Sequence, residues 1–217
     1  MSISVDLGND DERLIRVTVA DAHLSFVSRF AKDCYRTGVF RTRKGARNTW
    51  QMDCRYGLGS GASTQALAAE ISRAANANGI SQFVGTGFGA YLLVGAILGI
   101  EGSGVQGALV RPERKRHGCG QIIEGTICSD RPVCVVDDIL NSGETACRLV
   151  RILRKEGFEN ISYACIFNFC WGAGVARLAE QGVDCTWLAE VTRRNCPRSP
   201  SRTTGRLLFN FWRSWFA

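Results

Sequence analysis

With 217 residues, 45% of them hydrophobic and 22% charged, the chain has the length and composition of one globular domain with a full core and a small appendage. It holds no apolar run of about 18 residues, which excludes a transmembrane helix, and its first thirteen residues carry four acids where a signal peptide would be basic, so a cytoplasmic protein is expected. Of the net charge of +7, six units come from arginines from Arg193 onward, where no acid offsets them; the body is near neutral, and nucleic acid is not an expected partner.

In chain order, Ala22–Tyr35 places Leu24, Val27, Phe30, Ala31 and Cys34 at helical spacing. Phe40–Asp53 is a polar stretch bending at Lys44-Gly45, read as a β-hairpin or arm, and Gly57–Gly61 as a flexible junction. Ser63–Asn78 is an alanine-rich helix with an Asn-Gly stop. Strands are then expected at Ile80–Val84, Val105–Val110, Pro132–Val136, Ile161–Phe167 and Cys185–Leu188, and helices at Ala90–Leu98, Thr145–Glu156 and Gly174–Glu180. This alternation predicts an α/β fold with a central, mostly parallel sheet flanked by helices. Residues 1–62 are read as a small N-terminal hood of the same domain, 63–192 as its core and 193–217 as a basic aromatic tail. The tail is read first as an extension, and alternatively as a short amphipathic segment making weak membrane or protein contact. The ten cysteines form no Cys-x-x-Cys pair and read as small buried hydrophobes in a reducing compartment.

The most informative stretch is Val133-Cys134-Val135-Val136-Asp137-Asp138-Ile139-Leu140-Asn141-Ser142-Gly143-Glu144-Thr145. An apolar, β-branched run ends in two carboxylates, and a short Ser/Gly/Thr loop then opens a helix. Ligands of open α/β sheets bind where strands end and helices begin. The loop and the helix N-terminus suit a phosphate, and the carboxylates suit the hydroxyls of a sugar. A generic strand-turn-helix whose acids cap the helix is the plainer reading, but the complete pattern favours a sugar phosphate. It resembles the 5-phosphoribosyl 1-pyrophosphate (PRPP) motif of type I phosphoribosyltransferases, with Asn141 and Glu144 as this chain's own variations. That resemblance implies ribose contacts from Asp137 and Asp138 and a 5′-phosphate cradle from Asn141, Ser142, Gly143, Glu144 and Thr145.

Two further segments extend the likeness. Gly85-Thr86-Gly87-Phe88-Gly89 joins a strand to a helix; glycines there often serve only a tight turn, yet in this family the loop holds pyrophosphate, which assigns Thr86, Gly87 and Phe88 to PRPP. The charged loop Arg111–Gly120 has the pattern Arg-x-x-x-Lys-x-His-Gly, followed by Glu124-Gly125. It resembles the catalytic loop of orotate phosphoribosyltransferases, with Arg111, Lys115, His117 and Gly118 in register. Phe40, Gly45, Asp53 and Arg55 are similar to that family's N-terminal arm. The likeness spans residues 22–190 and implies pentosyl transfer from PRPP to a nucleobase. It names Lys115, His117, Arg111 and Asp137 as catalytic, and it implies a homodimer with loop exchange. It also implies Mg²⁺ held mainly by PRPP, with Asp137 reaching it through water. The base end departs from the pattern: Asn168-Phe169-Cys170-Trp171 stands where an Asp-Arg-acid step would grip orotate, the lysine of the pyrophosphate loop is replaced near Gly89, and Pro112 replaces a basic residue. Arg43, Phe169, Cys170 and Trp171 are therefore the candidates for contact with orotate or a related base. A non-catalytic PRPP-sensing module on the same fold is the alternative function.

Overall fold

The computed structural model describes residues 2–8, 15–19, 21, 24–42, 45–100, 104–111, 121–193 and 205–207. It opens with two short strands, β1 (Ile3–Leu7) and β2 (Ile15–Val19), followed by helix α1 (Ser25–Cys34). A hairpin of β3 (Tyr35–Arg41) and β4 (Arg47–Met52) comes next, then α2 (Cys54–Leu58) and α3 (Gly61–Asn76). The alternating part runs β5 (Gln82–Gly85), α4 (Phe88–Leu98), β6 (Gln106–Val110), β7 (Ile123–Gly125), β8 (Val133–Leu140), α5 (Glu144–Lys155), β9 (Ile161–Phe169), α6 (Gly174–Ala179) and β10 (Asp184–Arg193), with β11 (Gly205–Leu207) beyond.

The main sheet has the order β1-β2-β10-β9-β8-β5-β6-β7, with β11 on β10. Its centre, β10-β9-β8-β5-β6, is parallel, and β2 and β7 close the two sides antiparallel. The hairpin β3-β4 is a separate two-stranded sheet. The predicted mixed α/β architecture is the observed one. Both sheet faces are covered, as near-continuous apolar parallel strands require. Cys134 and Val136 of β8 join the core under α1, α3 and α4, while Val133 and Val135 join the core under α5 and α6.

Several boundaries differ from the expectations. The expected strands do not include residues 3–7 or 15–19, yet these pair with each other and, through β2, with β10. β7 and α2 were likewise not anticipated. The expected flexible junction at Gly57–Gly61 is instead the end of α2 and the start of α3: a Cβ on Gly57 would stand 2.3 Å from the Phe30 ring, so that glycine lets α2 press onto α1. β8 does not stop at Val136; pairing with β9 continues through Asp137↔Cys165, Ile139↔Phe167 and Leu140↔Asn168. The two acids thus lie within a strand and not after it. Cys34, Cys54, Cys134, Cys147, Cys165 and Cys185 are buried free thiols, as filler should be, and burial pushes the Cys134 thiol up to about 12. Of the tail, Arg193 ends β10 and the strand at Gly205–Leu207 pairs parallel with Cys185–Trp187; residues 194–204 and 208–217 lie outside the described residues. No helix among the described residues is long and apolar enough to cross a membrane.

Candidate active site

The carboxyl ends of β5 and β8 lie side by side in the parallel sheet, and the end of the β3-β4 hairpin stands opposite them. Between them is a cleft of about 260 Å³. One wall is Gln51, Met52, Asp53, Cys54 and Arg55; the other is Thr86, Gly87, Phe88 and Gly89; Asp137 and Asp138 form its floor. Two segments singled out in the sequence, the glycine loop and the acidic pair, are thereby brought together with the Asp53-Arg55 step of the arm.

The glycine loop is shaped by its residues. Gly87 takes φ +91°, a conformation that a side chain would strain, and starts α4 without a side-chain cap. Gly85 lets α4 approach β8: a Cβ there would meet Ala90 at 2.7 Å and the Val136 carbonyl at 3.1 Å. Gly89 is tighter still, because its Cβ would fall 2.5 Å from Asp138 Oδ2. The Asp138 carboxylate thus lies directly against the first turn of α4.

Because side chains alternate along a strand, the two acids diverge. Asp138 continues the face of Cys134 and Val136, toward α4 and the arm. Asp137 continues the face of Val133 and Val135, toward α5. Asp137 Oδ1 accepts from the Asp138 amide at 2.9 Å, and Oδ2 accepts from the Tyr163 hydroxyl at 3.2 Å. Burial, and then the neighbouring Asp138, push the Asp137 carboxyl well above the usual carboxylate range. The opposite applies to Asp53, which is 8% exposed. It caps α2 through the Arg55 amide, and the Arg55 guanidinium bonds it at 2.7 and 2.5 Å, which holds its carboxyl below the usual range. Cys54, on the same wall, is pushed well up by its hydrogen bond with Cys34 and by burial.

Beyond β8, the loop Asn141-Ser142-Gly143 leads into α5. Gly143 has φ +75°, and a Cβ there would stand 2.8 Å from Gly174 Cα. The Gly174 amide donates to the Asn141 carbonyl at 2.8 Å, and Arg177 Nη1 donates to the Ser142 carbonyl at 2.8 Å. The segment ahead of α6 therefore clamps the loop from behind, while Asn141, Ser142 and Glu144 stay exposed and Thr145 half-buried. A helix N-terminus behind a left-handed glycine presents amide dipoles outward and favours an anion.

Other predicted residues fall elsewhere. Arg111 follows β6, where its guanidinium pairs with Glu124 at 2.7 Å and its amide donates to the Ile122 carbonyl at 2.9 Å, tying the two ends of the charged loop together. Lys115, His117, Pro112, Gly118 and Arg43 lie outside the described residues. Phe169, Cys170 and Trp171 do not line the cleft. Phe169 is 7% exposed and packs against Trp50 and, at 4.8 Å between ring centroids, Trp171. The Arg193 guanidinium lies 4.3 Å above the Trp171 ring. Sequence reasoning missed Gln51, Met52, Cys54 and Tyr163. Gln51 and Met52 could have been found as the strand end of the expected hairpin; Cys54 begins the unexpected α2, and Tyr163 depends on the β8–β9 register.

No family model matches the chain. The chain is 24% identical over 163 residues to an orotate phosphoribosyltransferase of Rhodopirellula baltica, covering 71% of this chain and 84% of that protein. Its fold is similar to that of Mycobacterium tuberculosis orotate phosphoribosyltransferase, with a TM-score of 0.66 at 16% identity over 76% of this chain and 94% of the other. The structure of that enzyme in complex with PRPP gives a TM-score of 0.55 at 17% identity over 63% and 78% of the two chains. In sequence the chain is thus similar to the orotate phosphoribosyltransferases, and its fold is the one their solved structures share.

Proposed function

We propose that the protein transfers the 5-phosphoribosyl group of PRPP to a ring nitrogen of a nucleobase, releasing pyrophosphate. The observation that carries this reading is the placement of Asp137 and Asp138 on the floor of a cleft between the Thr86–Gly89 loop and the arm, with the Gly143 turn and the N-terminus of α5 following directly. Carboxylates for ribose hydroxyls, a glycine loop for the pyrophosphate and a helix terminus for the 5′-phosphate match the three parts of one ligand. The PRPP complex of the mycobacterial structural neighbour supports the same ligand.

The base nitrogen would form its bond to C1 as the C1–O bond breaks, the electron pair leaving with pyrophosphate through an oxocarbenium-like transition state and the nitrogen's proton passing to solvent. Negative charge building on pyrophosphate is the largest electrostatic demand. Lys115 and His117 are the charged-loop residues proposed to meet it, with Arg111 anchored at the loop's start by Glu124. The side-chain oxygens of Asp137 and Asp138 would accept from the ribose hydroxyls. The carboxylate oxygens of Asp137 are hard donors of the kind Mg²⁺ takes, and they would contact, through water, a cation carried mainly by PRPP oxygens. Bound there, the cation would neutralise part of the leaving-group charge. Loop closure across a homodimer and a cytoplasmic setting belong to the same proposal.

Without an arginine at positions 168–171, and with Phe169 packed among Trp50 and Trp171, a base other than orotate is the proposed substrate. The binding half of the proposal is tested by thermal unfolding with PRPP and Mg²⁺. A ligand of the native state raises the melting temperature, and the Asp137→Asn, Asp138→Asn double variant should lose that rise. An equal rise in both proteins would refute the assignment of the acids.

A further inference from the structure

We propose that Tyr163 is a positioning residue that holds the Asp137 carboxylate in register with the ribose of PRPP; this rests on the phosphoribosyl-transfer reading above. Tyr163 sits on β9 opposite Val135, two residues before Cys165, which is opposite Asp137. The alternation of β8 turns Asp137 toward this side of the sheet, so the phenol reaches the carboxylate diagonally across the strand pair. Their contact is the 3.2 Å bond from the Tyr163 hydroxyl to Asp137 Oδ2.

The surroundings show why the hydroxyl is informative. Tyr163 is 1% exposed and belongs to an apolar cluster with Val135, Cys165, Cys185 and Trp187. A phenylalanine would fill that space without a polar group to satisfy. A buried hydroxyl costs free energy unless it is hydrogen-bonded, and here the bond goes to the floor of the cleft. With the Asp138 amide on Oδ1 and Tyr163 on Oδ2, both carboxylate oxygens are fixed from the protein side. The remaining lone pairs are left for ligand hydroxyls. Burial disfavours the ionised carboxylate, and the Tyr163 hydroxyl is one of the groups opposing that effect.

The test compares Tyr163→Phe with the wild-type protein by calorimetric titration of PRPP in Mg²⁺ and by steady-state kinetics with the best base. Because ribose contacts are present in both the ground and transition states, the loss should fall on binding. PRPP affinity and KM should weaken by up to roughly tenfold, the upper end of the net value of one hydrogen bond, while kcat stays within about threefold. Trp187→Phe, altering a buried ring of the same cluster whose indole nitrogen has no partner among the described residues, should lower stability and leave the KM for PRPP unchanged. Tyr163→Leu, which also lacks the hydroxyl, supplies the same comparison should the phenylalanine variant not fold. If wild type binds PRPP and Tyr163→Phe binds it equally well, the positioning role is overturned while the functional reading stands. If wild type does not bind PRPP at all, both fall.

Discussion

Replacing Gly89 by alanine adds one methyl group to the first turn of α4, and the structure places that methyl 2.5 Å from Asp138 Oδ2, 2.6 Å from Cγ and 2.9 Å from Cβ. Rotating the Asp138 side chain relieves the first two contacts but not the third, so α4 or β8 must also shift. Overpacking of this kind costs about 1–3 kcal/mol. Alanine in a helix recovers about 0.8–1 kcal/mol relative to glycine. The net loss of stability is therefore about 0–2 kcal/mol, or a fall in melting temperature of no more than about 8 °C for a chain of this size. Binding should suffer as well. A displaced Asp138 would forfeit the hydrogen bond proposed from the ribose, worth up to about 1.5 kcal/mol, or roughly tenfold in PRPP affinity. Gly95→Ala in the same helix is the internal control, because a Cβ there meets nothing within 4 Å. It should stabilise the protein by up to about 1 kcal/mol and leave PRPP binding unchanged. Titration calorimetry and thermal unfolding on both variants read the two effects separately. Wild-type PRPP affinity in Gly89→Ala would refute the placement of Asp138 in the ligand site.

Other consequences concern separate parts of the molecule. Asp53 has a folded-state pKa depressed by Arg55, so its stabilising contribution is complete above the unfolded value of about 3.9 and is lost as pH falls through the lower folded value. The melting temperature of Asp53→Asn should depend less steeply on pH between about 5 and 3 than that of the wild type, and parallel curves would contradict the ion pair's role. Buried Gln82 donates to the Cys128 and Arg131 carbonyls and accepts from the Cys128 amide at 2.6 Å, so Gln82→Leu strands backbone groups and should cost about 1–3 kcal/mol in denaturant unfolding, with PRPP affinity intact. Lys115→Ala should lower turnover by orders of magnitude while PRPP affinity stays within about tenfold, since the proposed contact belongs to the transition state; collapse of affinity with turnover preserved would make it a ground-state ligand.

The parts of the site that were legible in the sequence are those written in consecutive residues. The glycine loop, the acidic pair and the Ser142-Gly143 turn each carry a local conformational demand, and Gly87 and Gly143 meet it with positive φ. The hairpin was visible because Gly45 marks its bend between two polar strands. What depends on distant residues was not visible. Two carboxylates after Val136 predict the strand's end there, yet pairing with β9 carries it to Leu140, and that continuation decides that Asp137 and Asp138 face opposite ways. Gly57 read as flexibility because its neighbour Phe30 is 27 residues away in the chain. The alternation in Ile15–Val19 was present, but its partner on β10 is the end of the sequence pattern farthest from it. Phe169 and Trp171 read as free aromatic faces; the structure packs both against Trp50, tilted and edge-on, and sets Arg193 over Trp171.

Pyrophosphate release from PRPP and Mg²⁺ across a panel of nucleobases decides whether this cleft moves a phosphoribosyl group. The account predicts release that requires a base, disappears in the Asp137→Asn, Asp138→Asn variant, and is at least roughly tenfold less efficient with orotate than with the preferred base, the worth of one charge-assisted hydrogen bond. PRPP binding without base-dependent release would instead make the protein a PRPP-sensing module, and release most efficient with orotate would contradict the reading of the base end.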